Sequence, residues 1–380
     1  MLRNLRKLAA IFASCLLLAG CMAASRPLEL ENVRTETPVG AIVLFDRNGL
    51  PVEDPSLAQP TSGVKTDLNV LALSGGGPDG AFGAGLLNGW SQSGNRPKFD
   101  VVTGVSTGAL MATLAFLGPE YDGVMKDVYT TVKNDDIYEA KGYTSVFSDS
   151  LLDSTPLKKK IEAVVTDELL DKVAQEYRAG RRLYVATTNL DSGQLVVWDM
   201  GAIASSASPS RAMYYQSVLR ASAAVPGYFK PVYIQPSAAS EARQMHVDGG
   251  VKAPMLLRAF MLKQPAAKKH VYVVINGQMK LTDADTAVKP EIMDISRKSI
   301  EELLRGLLSR TVYQAYVTSK RAGADFRLTY MPDNAPAPES ALVFDPEIMG
   351  RQFEIGRQFG RSGTGWITEP PRIDDFERIN

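Results

Sequence analysis

Apolar positions along this chain fall into short unbroken runs separated by longer stretches with a helical period. "LNVLALS" (Leu68 to Ser74) and "FDVVTG" (Phe99 to Gly104) are almost continuously apolar, the pattern of strands buried on both faces. Each leads through a glycine-rich stretch into a segment with the composition of a tightly packed helix, Ala81 to Gln92 and Thr107 to Leu117. "RLYVATTNL" and "QLVVWDM" alternate around Asp191-Ser192-Gly193, which predicts a β-hairpin. Ser208-Pro209 reads as an N-cap and N1 pair for a helix reaching about Ala224. "HVDGG" closes another strand, "HVYVVIN" is one more, and Glu291 to Lys320 carries helical periodicity. Strands alternating with helices predict an α/β sandwich with a mainly parallel sheet. Before this region, "AIVLFDRNG" (Ala41 to Gly49) reads as a strand ending in a turn at Asn48-Gly49, and "PVEDPSLAQPTSG" reads as loop. "PDNAPAPESA" is a loop as well, and no repeat or second domain stands out.

The first residues follow a different logic. Arg3, Arg6 and Lys7 precede an apolar run from Leu8 to Leu18, and Leu18-Ala19-Gly20-Cys21 follows. A run of eleven residues is too short to span a bilayer but fits the apolar region of a secretory signal. Small residues directly before Cys21 resemble the bacterial lipobox, in which the cysteine is lipidated and becomes the first residue of the mature chain. The expected organisation is a lipoprotein signal over 1–20, a tether and loop over 21–66, a catalytic domain over 67–362 and a tail over 363–380. Cys15 lies in the removed segment, so Cys21 is the one mature cysteine and no internal disulfide is expected. Met22 leaves the Asp-type signal for inner-membrane retention absent, which points to the outer membrane.

Composition narrows the partners. Lys and Arg balance Asp and Glu at 42 each, and "KKK" at Lys158 to Lys160 reads as a solvated helix face. Nucleic acid is therefore not an expected partner. Loss of the leader's three cations leaves the mature chain mildly acidic, so membrane attachment is expected from the lipid and not from charge.

The candidate chemistry centres on Gly104-Val105-Ser106-Thr107-Gly108. As a pattern, G-x-S-x-G is weak; between a buried strand and a helix it has the context of a nucleophile elbow, which lifts the serine hydroxyl clear of the sheet. Ser106 is the candidate nucleophile, and Gly104 and Gly108 keep the turn uncrowded. One strand earlier, Gly75-Gly76-Gly77 can offer backbone N–H donors to a developing oxyanion, joined by the N–H of Thr107. The same stretch lacks the Gly-Lys-Ser/Thr ending of a phosphate loop. A base is also needed. His246 and His270 both sit in apolar strand patterns, whereas Asp248, ahead of Gly249-Gly250, stands at a strand end from which it can reach Ser106.

Glycine loop, elbow and D-G-G in this order resemble the patatin-like phospholipases. "ASAAVPGYFKPV" (Ala221 to Val232) and "FDPEIMGRQFEIG" (Phe344 to Gly356) are similar to further blocks of that family, and the resemblance spans roughly Leu68 to Gly360. It implies a three-layer α/β/α sandwich with a mainly parallel central sheet, a Ser106–Asp248 dyad, and a lipid or other acyl-ester substrate. It implies no metal and no cofactor. One position departs: the family often carries Arg or Lys after G-G-G-x, and here Asp79 stands there, with capping of the next helix as its expected local role. An acyltransferase using the same dyad, or a lipoprotein that binds lipid or an envelope partner without catalysis, are the alternatives.

Overall fold

In the computed structural model, residues 38–43, 65–140, 150–235, 243–279 and 288–371 are described. Cys21, the signal segment and most of the expected tether lie outside them, as does the rest of the expected strand beyond Val43.

Nine strands form one sheet among the described residues. They are β1 (Ala41–Val43), β2 (Lys65–Leu73), β3 (Val101–Gly104), β4 (Arg182–Asn189), β5 (Gln194–Asp199), β6 (Val232–Ile234), β7 (Gln244–Asp248), β8 (Ala266–Ile275) and β9 (Asp325–Tyr330). The order β1-β5-β4-β3-β2-β8-β9 is parallel from β4 to β9 and antiparallel at the β5 and β1 margin. The principal helices are α1 (Gly80–Gln92), α2 (Thr107–Leu117), α3 (Asp122–Thr130), α4 (Thr155–Val164), α5 (Asp167–Arg178), α6 (Arg211–Ser222), α7 (Ile292–Arg321) and α8 (Pro346–Ser362).

The unbroken apolar run in β2 has its physical reason in two cores. Leu71 and Leu73 face the cluster built with α1 to α6 and α8, while Leu68, Val70 and Ala72 face the cluster that α7 covers. Tyr272 and Val274 of β8 divide from Val271, Val273 and Ile275 in the same way. A strand with helices on both sides has no solvent face, so its residues are apolar in both registers. The architecture is the three-layer α/β/α sandwich with a mostly parallel sheet.

Two local expectations are corrected. Ser208-Pro209 does not start α6. The Ser208 hydroxyl accepts the Ser210 N–H at 3.2 Å, and the helix opens at Arg211, whose guanidinium is anchored by Asp171 Oδ1 at 2.7 Å and the Ala204 carbonyl at 3.1 Å. The turn uses the serine locally, so the helix starts later and ends at Ser222. Packing also continues past Ser362: Trp366 lies 5.2 Å from the Trp90 ring, and Ile367 bridges to Leu328. Lys158 and Lys159 are exposed on α4, as a solvated face requires.

The sheet places the site through one feature of its register. β3 ends with Gly104 opposite Val185 of β4, and β7 ends with Asp248 opposite Thr187 of the same strand. Two strands thus meet nearly end to end along one edge of β4, about 7 Å apart at strand spacing. Ser106 follows β3 directly into that gap.

Candidate active site

Ser106 joins β3 to α2 with φ 55° and ψ −125°. Among the described residues it is the one non-glycine with positive φ, a conformation that costs energy and persists where its surroundings enforce it. The flanking glycines explain how the turn fits. A Cβ on Gly108 would lie 2.5 Å from the carbonyl oxygens of both Leu73 and Ser74, so any side chain there would push the elbow off β2. The Ser106 carbonyl accepts from Ala109 N–H at 2.9 Å and Leu110 N–H at 3.3 Å, starting the helix at once. Its N–H donates to the Ser222 hydroxyl at 3.0 Å.

Asp248 is buried at the end of β7. Its carboxylate accepts from the Gly250 N–H at 2.6 Å and has the Ser106 side chain for a neighbour. Burial pushes its pKa up to about 6, against the Ser106 side chain and the Gly250 N–H, which pull it down. The Asp248 N–H is fixed by the Ala224 carbonyl at 2.9 Å.

The glycine loop needs one correction. Gly75 is not a free donor: its N–H is directed to the Pro254 carbonyl at 2.9 Å. Its role lies in its missing side chain, because a Cβ there would stand 3.1 Å from the Ser106 Cβ. The N–H groups of Gly76 and Gly77 meet no acceptor among the described residues. A Cβ on Gly76 would overlap the Asn276 carbonyl at 1.9 Å, and Asn276 is itself held by Ser74 through bonds of 2.8 and 2.7 Å. Thr107 N–H opens α2, and the Thr107 carbonyl accepts from the Tyr129 hydroxyl at 2.6 Å.

Neither histidine belongs to this cluster. Gln244 Oε1 can only accept from His246 Nε2, so Nδ1 is the bare nitrogen and accepts the Thr187 hydroxyl hydrogen at 2.9 Å, while Thr187 Oγ1 accepts from Trp198 Nε1–H at 2.7 Å. The ring then carries its proton on Nε2, facing Gln244 Oε1 at 3.4 Å. Burial holds its pKa down at about 3. His270 stands between Asp67 and Asp325 at 3.7 and 3.5 Å, opposite Asn69 in register and so several residues from the glycine loop that follows β2.

Asp79 also differs from expectation. It occupies the N-cap position of α1, but its side chain makes no cap. Instead Oδ1 accepts from Gln352 Nε2 of α8 at 2.6 Å, and burial raises its pKa to about 6.

Beside the cluster opens an apolar pocket, part of it open to solvent. Gly77 and Thr107 line it, as do Leu110 and Leu114 of α2, Ile161 of α4 and Leu219 of α6. Among the described residues Lys160 is its one charged lining residue, paired with Asp136 at 3.1 Å. The donor groups therefore border a slot suited to an aliphatic chain.

A family model described as "Patatin-like phospholipase" matches residues 71–261, which include the glycine loop, the elbow and Asp248. The chain belongs to the patatin-like phospholipase family. Family membership makes it a lipid hydrolase by class. No curated protein matches its sequence. Among solved structures it is similar to VipD from Legionella pneumophila, at 12% identity and TM-score 0.39, covering 93% of this chain and 73% of that one. It is also similar to the complex of full-length SpcU with full-length ExoU from the type III secretion system of Pseudomonas aeruginosa, at 14% identity and TM-score 0.31, covering 88% of this chain and 61% of that one.

Two residues of this patatin-like site escape sequence reasoning. Ser222 lies in the quoted block "ASAAVPGYFKPV", where small residues on both sides are the one hint of close backbone approach. Gln352 lies in the quoted block "FDPEIMGRQFEIG", but nothing in that block points to the glycine loop. Among the described residues no cluster of His, Cys, Asp and Glu suits a metal ion, and no helix is long and apolar enough to cross a membrane.

Proposed function

We propose that this protein is an envelope-anchored acyl-ester hydrolase in which Ser106 is the nucleophile and Asp248 its base. The observation that carries the reading is the placement of Ser106, at a strained elbow, beside the buried Asp248 carboxylate, close enough for its side chain to lower the carboxyl pKa. As Ser106 Oγ attacks the ester carbonyl, its proton passes to Asp248, and the N–H groups of Gly76, Gly77 and Thr107 receive the developing oxyanion. Collapse breaks the ester C–O bond, and the alcohol leaves with the proton from Asp248. Water then attacks the acyl-enzyme, again giving its proton to Asp248; the acyl–Oγ bond breaks, Asp248 returns that proton to Ser106 Oγ, and the acid departs. A free aspartate near pKa 4 is a weak base; desolvation at this position makes a stronger one.

The cavity bordered by Gly77 and Thr107 accepts the acyl chain, which favours lipid esters over small polar ones. The lipobox at Cys21 supports anchoring in a bacterial envelope, with the outer membrane favoured by Met22. A fluorophosphonate probe tests the chemistry: wild type labels at Ser106, and Ser106→Ala does not. A wild-type protein that fails to label would exclude the nucleophile assignment. Release of Cys21→Ser from membrane fractions with labelling intact tests the anchor; a variant that stays membrane-bound would exclude it.

A further inference from the structure

The oxyanion loop is gripped from a side that the dyad does not use. Asp79 closes the turn Gly77–Asp79, and its N–H returns to the Gly76 carbonyl at 3.2 Å. The Asp79 carboxylate and the two donor N–H groups therefore belong to one tight turn and move together. That carboxylate accepts from Gln352 Nε2 at 2.6 Å. The second hydrogen of Nε2 goes to the Pro336 carbonyl at 2.9 Å, so two acceptors fix the amide's orientation.

Gln352 is fully buried, and its Oε1 meets no donor among the described residues. A buried amide with its own acceptor unpaired costs stability, which sets Gln352 apart from a residue suited to packing alone. The helix that bears it is a firm support. Gly356 and Gly360 of α8 press so closely on α1 that a Cβ on either would lie 2.0 Å from the carbonyls of Phe82 and Leu86. Oxyanion donors need placement within a few tenths of an ångström of their 2.7–3.1 Å optimum. A turn of glycines cannot supply that rigidity by itself.

We propose that Gln352 is a positioning residue which, through Asp79, sets the placement of the Gly76 and Gly77 N–H groups. The C-terminal helix, outside the family match over 71–261, thereby becomes part of the acyl-transfer machinery. The proposal rests on the hydrolase reading above. It also gives the departure at Asp79 a purpose: its carboxylate accepts from the buried amide.

The test compares Gln352→Met, Asp79→Asn, their double variant and Asp79→Ala with wild type on a soluble short-chain ester. kcat, KM, melting temperature and the rate of fluorophosphonate labelling are read for each. Gln352→Met removes the donor at similar volume and lowers kcat and labelling rate about 10- to 100-fold, with KM changed less than about threefold. Asp79→Asn keeps an acceptor for Gln352 and stays within about threefold of wild type, and in the double variant the loss equals that of Gln352→Met alone. Asp79→Ala breaks the contact from the loop side and reproduces the kcat loss, which keeps the test decisive where Gln352→Met fails to fold. Folded Gln352→Met and Asp79→Ala proteins with lowered melting temperature but wild-type kcat would overturn the positioning role while leaving the hydrolase reading intact. A wild type that neither turns over ester nor labels would overturn both.

Discussion

The Ser222 hydroxyl accepts the N–H of Ser106 at 3.0 Å and donates onward to the Ala186 carbonyl of β4 at 2.7 Å. Two residues later, the Ala224 carbonyl accepts the Asp248 N–H at 2.9 Å. One short segment at the end of α6 thus holds the backbones of both residues of the proposed dyad against the same central strand. The strain at Ser106 is sustained because its amide is fixed on one side by Ser222 and its carbonyl on the other by the first turn of α2.

Replacing Ser222 by Ala should therefore act on rate as well as stability. The Ser106 N–H and the Ala186 carbonyl each lose a partner, a cost of about 1–3 kcal/mol. The elbow relaxes, and kcat drops about tenfold or more with little change in KM, since a misplacement of about 1 Å can cost up to 10²-fold. Urea unfolding and steady-state kinetics on the same preparation read both effects. Wild-type kcat in the folded variant would show that the elbow holds its shape unaided.

What could be read from the sequence follows the range of the interactions. The span of α2, Thr107 to Leu117, and the elbow at its start were legible because turn chemistry and helix periodicity are local. β2 and β3 were legible because burial on both faces leaves an unbroken apolar run. The meeting of Ser106 with Asp248 was legible only as a strand-end D-G-G; the register that seats β3 and β7 along one edge of β4 is a pairing between distant segments. Gly75 illustrates the limit. Its missing side chain was readable, but the capture of its N–H by Pro254 depends on how a later loop passes over it. Gln352 and Asp79 stand 273 positions apart, and neither residue's neighbours announce the other.

The proposed dyad makes a sharp prediction of non-additivity. Asp248→Asn is nearly isosteric and should fold, with turnover reduced about 10²–10⁴-fold, the range for a lost general base. Ser106→Ala should cost at least as much. The double variant should be little worse than Ser106→Ala, because residues that act as one unit do not lose rate independently. Multiplicative losses in the double variant would dismiss the pairing.

Chain-length selectivity should map onto α2. Leu110 and Leu114 line the cavity one and two turns beyond Thr107, about 6 Å apart along the helix axis. Leu110→Trp should block long acyl chains near the head of the slot, and Leu114→Trp should block them farther in. Both variants should keep short-chain ester turnover within about threefold and lose about tenfold or more on long-chain esters, with the tolerated chain longer for Leu114→Trp. A series of p-nitrophenyl esters reads this directly, and identical profiles for the two variants would place the acyl chain elsewhere.

The last prediction sets activity and stability against each other as pH changes. Asp248 must be ionised to take the Ser106 proton, and burial holds its pKa at about 6. Rate should therefore rise through about pH 6 and level off above it, with no limb from His246, whose pKa is held down at about 3. Asp79 is also raised to about 6, so the limb must persist in Asp79→Asn for Asp248 to own it. Stability has the opposite sign. An acid whose folded pKa lies above its ordinary value of about 4 binds its proton more tightly in the folded chain. The stabilisation from that proton is complete below about pH 4 and is lost as pH rises through about 6. Asp79, Asp199 and Asp248 are all displaced in this direction by burial. The difference in melting temperature between Asp248→Asn and wild type isolates one of them: it should grow in favour of the variant from pH 4 to pH 7 while activity appears in wild type alone. A difference independent of pH would mean that the Asp248 carboxylate is not desolvated, and the argument for its strength as a base would fall with it.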